Sequence, residues 1–390
     1  MYANGKFGIY LFESDNFLNL ASDFYQCYCF EFEKINNSMP DSKVTINEVA
    51  RAAGVTNGTV DRVLHNRGEV SAKTKAKVLQ VIKDLGYKPN VYASMLARNK
   101  SRRIAVLLPS FHKGEFWELV QRGIDQSSEY AGRFSVAISE YYYDQYDIDS
   151  FKAQCREILA SGPSGVIVAP MFLEGTRQFA CQLVDAGIPY IILNTTVDVN
   201  SHLAYFGLPM YESGYCCADM LMSGSEPELR KLVFLVKIAR DRNRLSDPSA
   251  ERRKGFLDYL SKYYPDTEVR NVVIDPNNPA EISRILETAF SGVSGRLNIV
   301  TLNSRIFLVA DYLESKGLQG MNVVGFDMLE KNMNALKNGY VRLLVCQHSD
   351  RQALQAVVTL TDFLVIGKKP DAQNNFMSID LLTRFNCEYY

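Results

Sequence analysis

Between Thr45 and Gly86, apolar and polar positions alternate at helical spacing in three short blocks. Thr45 stands before "INEVARAA", with Glu48 three residues on, which predicts a capping box at the start of a helix that Gly54 ends. Thr56 opens "NGTVDRVL" and Ser71 opens "AKTKAKVLQVIKDL", where Ala76, Leu79, Ile82 and Leu85 form one apolar stripe before Gly86. From Arg103 the period changes. Short apolar runs ("RIAVLL", "SVAIS", "GVIVA", "PYIIL", then "KLVFLV", "VVID", "NIVTL", "NVVGF") alternate with helical stretches. Such alternation predicts parallel sheets covered by helices, and two successive sets predict two similar lobes.

The expected fold class is therefore α/β: an all-α head, a linker, and two doubly wound parallel-sheet lobes. The boundaries read as 1–42 for an N-terminal extension, 43–88 for the head, 89–102 for the connector and 103–390 for the lobed domain. Within it, 103–209 and 348–370 are assigned to the first lobe, 210–347 and 371–390 to the second. Residues 1–38 are rich in aromatics without a clean period, and Met39 reads as the natural start.

Charge sharpens the division. The chain carries a net charge of −1, but residues 41–103 hold thirteen Lys or Arg against five Asp or Glu, while the rest is acidic. Only that middle segment suits a polyanion. The eight cysteines lack metal-site or disulfide-framework spacing, which fits a reducing cytoplasm. Cys216 and Cys217 read as small apolar residues of a buried helix. No apolar run of membrane-spanning length and no export signal is present, so no membrane association is expected.

Val49, Ala53, Val55, Val60 and Val63, with small Ala50 and Gly54, occupy positions that pack two helices across a tight turn. This is helix-turn-helix spacing. Together with "GYKPNVYASMLARNKSRR", the motif resembles the lactose-repressor (LacI/GalR) family of bacterial transcription regulators from residue 43 to about 390. The resemblance implies that the second helix enters the major groove of an operator, with Thr56, Asn57, Gly58 and Arg62 against DNA. It extends the implied DNA-facing set to Thr45, Thr59, Asp61, Asn66, Tyr87, Asn90, Ala93 and Leu96. A hinge helix over Val91 to Arg98 is implied in the minor groove, with Leu96 as its wedge. Chemically, Asn57 can pair with adenine through two bonds. Gly58 costs about 1 kcal/mol of helix propensity and either admits a close backbone approach, leaves a base unread, or reflects a tolerant position. Asp61 can accept from cytosine, pair with His65, or remain a solvated acid.

The region from Arg103 resembles periplasmic sugar-binding proteins, which implies a ligand cleft between the lobes. The implied contacts are Ser110, Phe116, Trp117 and Asn194 on the first lobe and Arg252, Asn303, Asp327 and Gln347 on the second. Aromatic rings suit the C–H faces of a sugar; Arg, Asp, Asn and Gln together can satisfy a polyol. Asn194 and Thr195 replace an acid and a base common in sugar binders, Ser304 replaces an Asp, and Pro209 another acid.

The reading is a sequence-specific regulator, chiefly a repressor, acting as a homodimer on a pseudo-palindromic DNA operator and responding to a small hydroxylated effector. A purine-type corepressor is the alternative within regulators. An enzyme is disfavoured by the lack of a P-loop, a GxSxG elbow or metal-spaced histidines, the four histidines standing at 65, 112, 202 and 348. A transport binding protein would need export. No cofactor or metal is expected.

Overall fold

The computed structural model describes residues 44–64, 68, 70–87, 101–238 and 249–390. The extension with Met39, and His65, Asn66, Asn90, Ala93, Leu96 and the Val91–Arg98 hinge, lie outside the described residues. The chain divides into two units, Met1–Val91 and Tyr92–Tyr390.

The first unit holds α1 (Ile46–Ala53), α2 (Asn57–Leu64) and α3 (Ala72–Asp84). Thr45 and Glu48 form the reciprocal box: the Glu48 amide donates to Thr45 Oγ1 at 3.4 Å and the Thr45 amide to Glu48 Oε2 at 2.6 Å. Gly54, at φ 65°, takes the left-handed turn between α1 and α2. Ser71 Oγ accepts from the Thr74 amide at 3.3 Å to start α3. Val49, Ala50, Ala53, Val60, Val63 and Val78 form the core.

The α3 stripe read from the sequence is not the packed face. Leu79 is 47% exposed and Leu85 38% exposed, and Ala76 also faces solvent; Val78 is fully buried, with Val81 and Ile82 packed beside it. The geometry explains the correction. A strict three-residue series turns by roughly 60° per step on a helix with 3.6 residues per turn, so Ala76 and Leu85 end on opposite sides. Val78, Val81 and Ile82 stay within one face, and their compact side chains suit a core otherwise built from Ala and Val.

The second unit contains two six-stranded sheets. The first comprises β1 (Arg102–Pro109), β2 (Val136–Tyr143), β3 (Gly165–Val168), β4 (Tyr190–Asn194), β5 (Ala204–Gly207) and β11 (Asn374–Phe376). Its order is β11-β5-β4-β3-β1-β2, all parallel. The helices α4 (Phe116–Arg133), α5 (Ile148–Ser161), α6 (Leu173–Asp185) and α12 (Ser349–Ile366) accompany it. The second sheet comprises β6 (Leu232–Ile238), β7 (Glu268–Ile274), β8 (Asn298–Val300), β9 (Asn322–Phe326), β10 (Leu343–Cys346) and β12 (Asp380–Leu382). Its order is β12-β10-β9-β8-β6-β7, with only β12 antiparallel. With it go α7 (Met210–Ser223), α8 (Ala250–Tyr263), α9 (Pro279–Phe290), α10 (Phe307–Ser315) and α11 (Glu330–Lys337).

Strands β3, β4, β5, β9 and β10 are buried along their whole length, as strands covered on both faces should be. Two apolar clusters flank each sheet. The eight predicted runs correspond to β1–β4 and β6–β9; β5, β10, β11 and β12 complete the sheets. The assignment of 371–390 to the second lobe needs correction. Asn374–Phe376 pairs with Tyr205–Gly207 in the first sheet, and the Met377 amide donates to Gly207 O at 2.8 Å. Only β12 onward belongs to the second sheet. The polar "NNF" joins its sheet through backbone bonds at an edge, which hydrophobic patterning does not report. Cys217 is buried in α7 and Cys216 half-buried. Among the described residues, no helix is long and apolar enough to cross a membrane.

Candidate functional site

In the helical unit, Asn57, Gly58 and Arg62 are exposed and Asp61 is half-buried on the side of α2 away from Val60 and Val63. Spacings of one, four and five residues keep these four on one face. Several are already engaged with neighbours. Thr56 Oγ1 accepts from the Thr59 amide at 3.3 Å and lies 3.0 Å from Thr59 Oγ1. Asn57 Nδ2 donates to Asn47 Oδ1, tying the exposed surfaces of α1 and α2 together. Arg62 Nε donates to Gly58 O at 3.2 Å, so its side chain lies back along the helix over the residue without a Cβ. Thr45 is committed to its capping box, and Tyr87 is half-buried against the core. Desolvation raises the Tyr87 hydroxyl above its ordinary pKa.

In the two-lobed unit, a cleft of about 210 Å³ lies at the C-terminal ends of both sheets, where open α/β folds place their ligands. Its size, below the roughly 300–1,000 Å³ typical of drug-sized sites, suits a small metabolite. Phe116, Trp117, Asn194, Arg252, Asn303, Asp327 and Gln347 all line it. Ser110 does not; it is exposed at the end of β1, with Oγ donating to Tyr143 O at 3.2 Å.

The floor is a chain of buried polar groups. Asp327 follows β9 with a left-handed backbone (φ 70°), which Asp adopts more readily than most residues, and is 2% exposed. Its two carboxylate oxygens accept from Gln347 Nε2 at 2.9 and 2.8 Å. Gln347 Oε1 accepts in turn from Arg252 Nη2 at 2.6 Å. Arg252 Nε and Nη1 donate to Ser213 Oγ (3.1 Å) and Leu302 O (2.9 Å), and its guanidinium lies 4.0 Å from the Phe326 ring centroid. Burial pushes the Asp327 carboxyl up to about 6, against the opposing pull of Arg252 and Gln347.

The opposite wall differs from the simple aromatic platform expected. Trp117 is 5% exposed and belongs to the first-lobe core, with Phe116 half-buried beside it in an edge contact of 4.9 Å. Asn194 ends β4 with φ 66° and is 8% exposed; its Nδ2 has no hydrogen-bond partner among the described residues. Asn303 Oδ1 accepts from the Arg305 amide at 3.0 Å and so shapes the loop after β8. Sequence reading missed Glu115, Gln145, Tyr146, Lys237 and Arg305, which also line the cleft. Glu115 and Arg305 form an ion pair at 3.3 Å between the lobes. Their positions after strands β1 and β8 were the available signal; their pairing across 190 residues left none.

A helix-turn-helix unit followed along the chain by a two-lobed domain with a polar cleft defines a DNA-binding regulator with a ligand-sensing domain. Comparison with known proteins narrows the class. Residues 45–90 match the bacterial regulatory proteins of the lacI family, and residues 104–369 match the periplasmic binding protein domain. The HTH-type transcriptional regulator DegA of Bacillus subtilis is 34% identical over 295 residues, covering 73% of this chain and 78% of DegA. A Bacteroides fragilis structure described as a LacI transcriptional regulator has 30% identity and a TM-score of 0.70, covering 75% of this chain and 100% of that one. A carbohydrate transporter solute binding protein from Agrobacterium radiobacter, solved with D-arabinose, has 19% identity and a TM-score of 0.62, covering 74% and 96%. That last likeness concerns the fold alone. The chain belongs to the LacI family: it is a helix-turn-helix transcriptional regulator with an effector domain of the periplasmic-binding-protein type.

Proposed function

We propose that the protein is a cytoplasmic repressor, not an enzyme, which binds paired operator half-sites as a symmetric homodimer. Its DNA affinity is set by a small hydroxylated effector, a sugar or sugar derivative, held between the lobes. The observation that carries the effector reading is the buried Asp327–Gln347–Arg252 chain on the cleft floor. Buried polar groups are costly unless they are paired, and a chain of them opening onto a cleft offers a polyol acceptors and donors at fixed positions. The unpartnered Asn194 amide adds a donor from the opposite lobe. Support for the DNA reading comes from the exposed α2 face, where Asn57 and Arg62 carry base-reading chemistry. In this proposal Thr45, Thr56, Gly58, Thr59, Asp61 and Tyr87 position the head or contact the backbone. Pairing of half-sites follows because one recognition helix reads too few base pairs for specificity.

The test begins by selecting an operator for the full chain from random duplex DNA, then measuring its binding with sugars, sugar derivatives and purines. Asp327→Ala should abolish the ligand response and leave ligand-free operator binding nearly intact. Failure to enrich any sequence, or a normal ligand response in Asp327→Ala, would reject the proposal. The direction of the response distinguishes an inducer from a corepressor.

A further inference from the structure

Among the described residues, three stretches of chain cross between the lobes: 208–209 from β5 to α7, 347–348 from β10 to α12, and 377–379 from β11 to β12. Relative movement of the lobes is absorbed there, because the ends of elements take up the backbone change of a hinge. His348 ties two of these crossings together. It follows Gln347 directly, and its Nε2 donates at 2.7 Å to Oδ2 of Asp380, the residue that opens β12 and pairs with Cys346 in the sheet. Facing a carboxylate, Nε2 is the ring nitrogen that carries the proton. His348 is 4% exposed, and Cys346 Sγ lies 3.7 Å from its other ring nitrogen, Nδ1. The backbone of His348 is left-handed (φ 53°), a state that persists in a residue other than glycine only where the surroundings over-determine it. Here the surroundings are the Asp380 bond and Gln352, whose amide donates to His348 O at 3.0 Å and whose Nε2 donates to Gln347 O at 2.8 Å.

We propose, resting on the effector reading above, that His348 is a positioning residue for the effector response: clasped to Asp380, it aims Gln347 into the cleft and makes that aim depend on how the lobes are arranged. His348 itself lies outside the cleft lining and acts only through its neighbour. Gln347 bonds both Asp327 and Arg252, so a turn of its backbone displaces the central member of the cleft floor. A twist of 377–379 that moves Asp380 reaches Gln347 through this one side chain. An effector held by Gln347 bears on the same crossing in return, which is the differential affinity for lobe arrangements that a response requires. The chemistry suits the post. A bond from a buried N–H to a carboxylate is short and charge-assisted, and separating the two groups leaves a buried donor unpaired.

The test uses the full chain and its selected operator, with D-glucose, D-galactose, D-ribose and D-glucuronate as probes, the one of largest effect being carried forward. The response is the ratio of operator affinities without and with that probe at saturation. His348→Ala and Asp380→Ala should each move the ratio toward one, a loss of about 2- to 30-fold, while calorimetry shows the probe still binding. The double variant should lose no more than either single one, since the same bond is removed once. His348→Gln, whose side-chain amide offers a donor to Asp380, should keep more of the response than His348→Ala. Asp380 lies on an edge strand with its side chain 27% exposed, so Asp380→Ala carries the comparison if His348→Ala does not fold. A pair that merely stabilises the fold would lower the unfolding temperature and leave the ratio at saturation unchanged. That result, or a double variant whose loss is the product of the two single losses, would overturn the inference and leave the effector reading standing. If none of the four probes alters operator binding, amide hydrogen exchange in the ligand-free chain decides. Asp380→Ala should speed exchange across 347–352 as well as 377–382; unchanged exchange at 347–352 would overturn the inference, and the wider panel would judge the effector reading separately.

Discussion

Gly58 was a puzzle in the sequence: a helix-weakening residue in the middle of a recognition helix. Among the described residues, nothing requires it. Its backbone is not in the left-handed region, and a Cβ built there meets no atom closer than Thr56 Oγ1 at 3.9 Å. With α2 set against an operator as proposed, the requirement lies in the DNA that approaches the backbone. Gly58→Ala should therefore raise the thermal stability of the free head by up to about 1 kcal/mol and at the same time weaken operator binding. Differential unfolding and operator titration on one preparation check both halves. A variant that is more stable and binds DNA equally well would mean that Gly58 only leaves a base unread. Residue identity was legible in the sequence here, but engagement was not. The Asn57–Asn47 bond depends on how α1 and α2 pack, and the Arg62 bond back to Gly58 O on a rotamer the sequence does not report.

Elements were readable where a local signal marked them and obscure where the signal was a contact. Thr45, Gly54 and Ser71 announced the helix ends, and the long apolar strands declared themselves. The phase of α3 did not, because two overlapping apolar series occupy the same turn, and only the Ala and Val surface of α1 and α2 selects Val78. Glycines in the effector domain carry a similar hidden constraint. A Cβ on Gly255 of α8 would come within 2.0 Å of Tyr211 O, and one on Gly214 of α7 within 1.8 Å of Arg252 O. The two helices cross with backbones nearly touching, and that crossing places Arg252 under the cleft floor. Gly255→Ala must push α8 away from α7. The expected cost is about 1–3 kcal/mol of stability from overpacking, with a loss of effector affinity as Arg252 leaves Gln347 and Leu302. Thermal unfolding and ligand titration of the variant measure the two effects. Unchanged effector affinity would show that Arg252 does not depend on this crossing.

At the scale of the whole molecule, the chain joins a DNA-binding unit to a ligand-binding one, and regulation is a free energy shared between them. The sequence displayed both halves through the basic segment at 41–103 and the two strand sets after it. It could not display how the lobes meet, since pairs such as Glu115 and Arg305 exist only once the lobes face each other. A ligand changes DNA affinity only by its differential affinity for the arrangements that bind DNA well and poorly. Linkage is reciprocal: if effector alters operator affinity by some factor, saturating operator alters effector affinity by the same factor in the same direction. Trp117, the only tryptophan, lines the cleft, so its fluorescence is the readout for the effector titration. Titrations with and without saturating operator DNA should differ by the factor found when operator binding is measured with and without effector, typically about 5–150-fold for allosteric proteins. Equality of the two factors would tie the Trp117 cleft to DNA control. A cleft affinity indifferent to operator, in a protein whose operator binding still responds to the same ligand, would place the controlling site elsewhere on the chain.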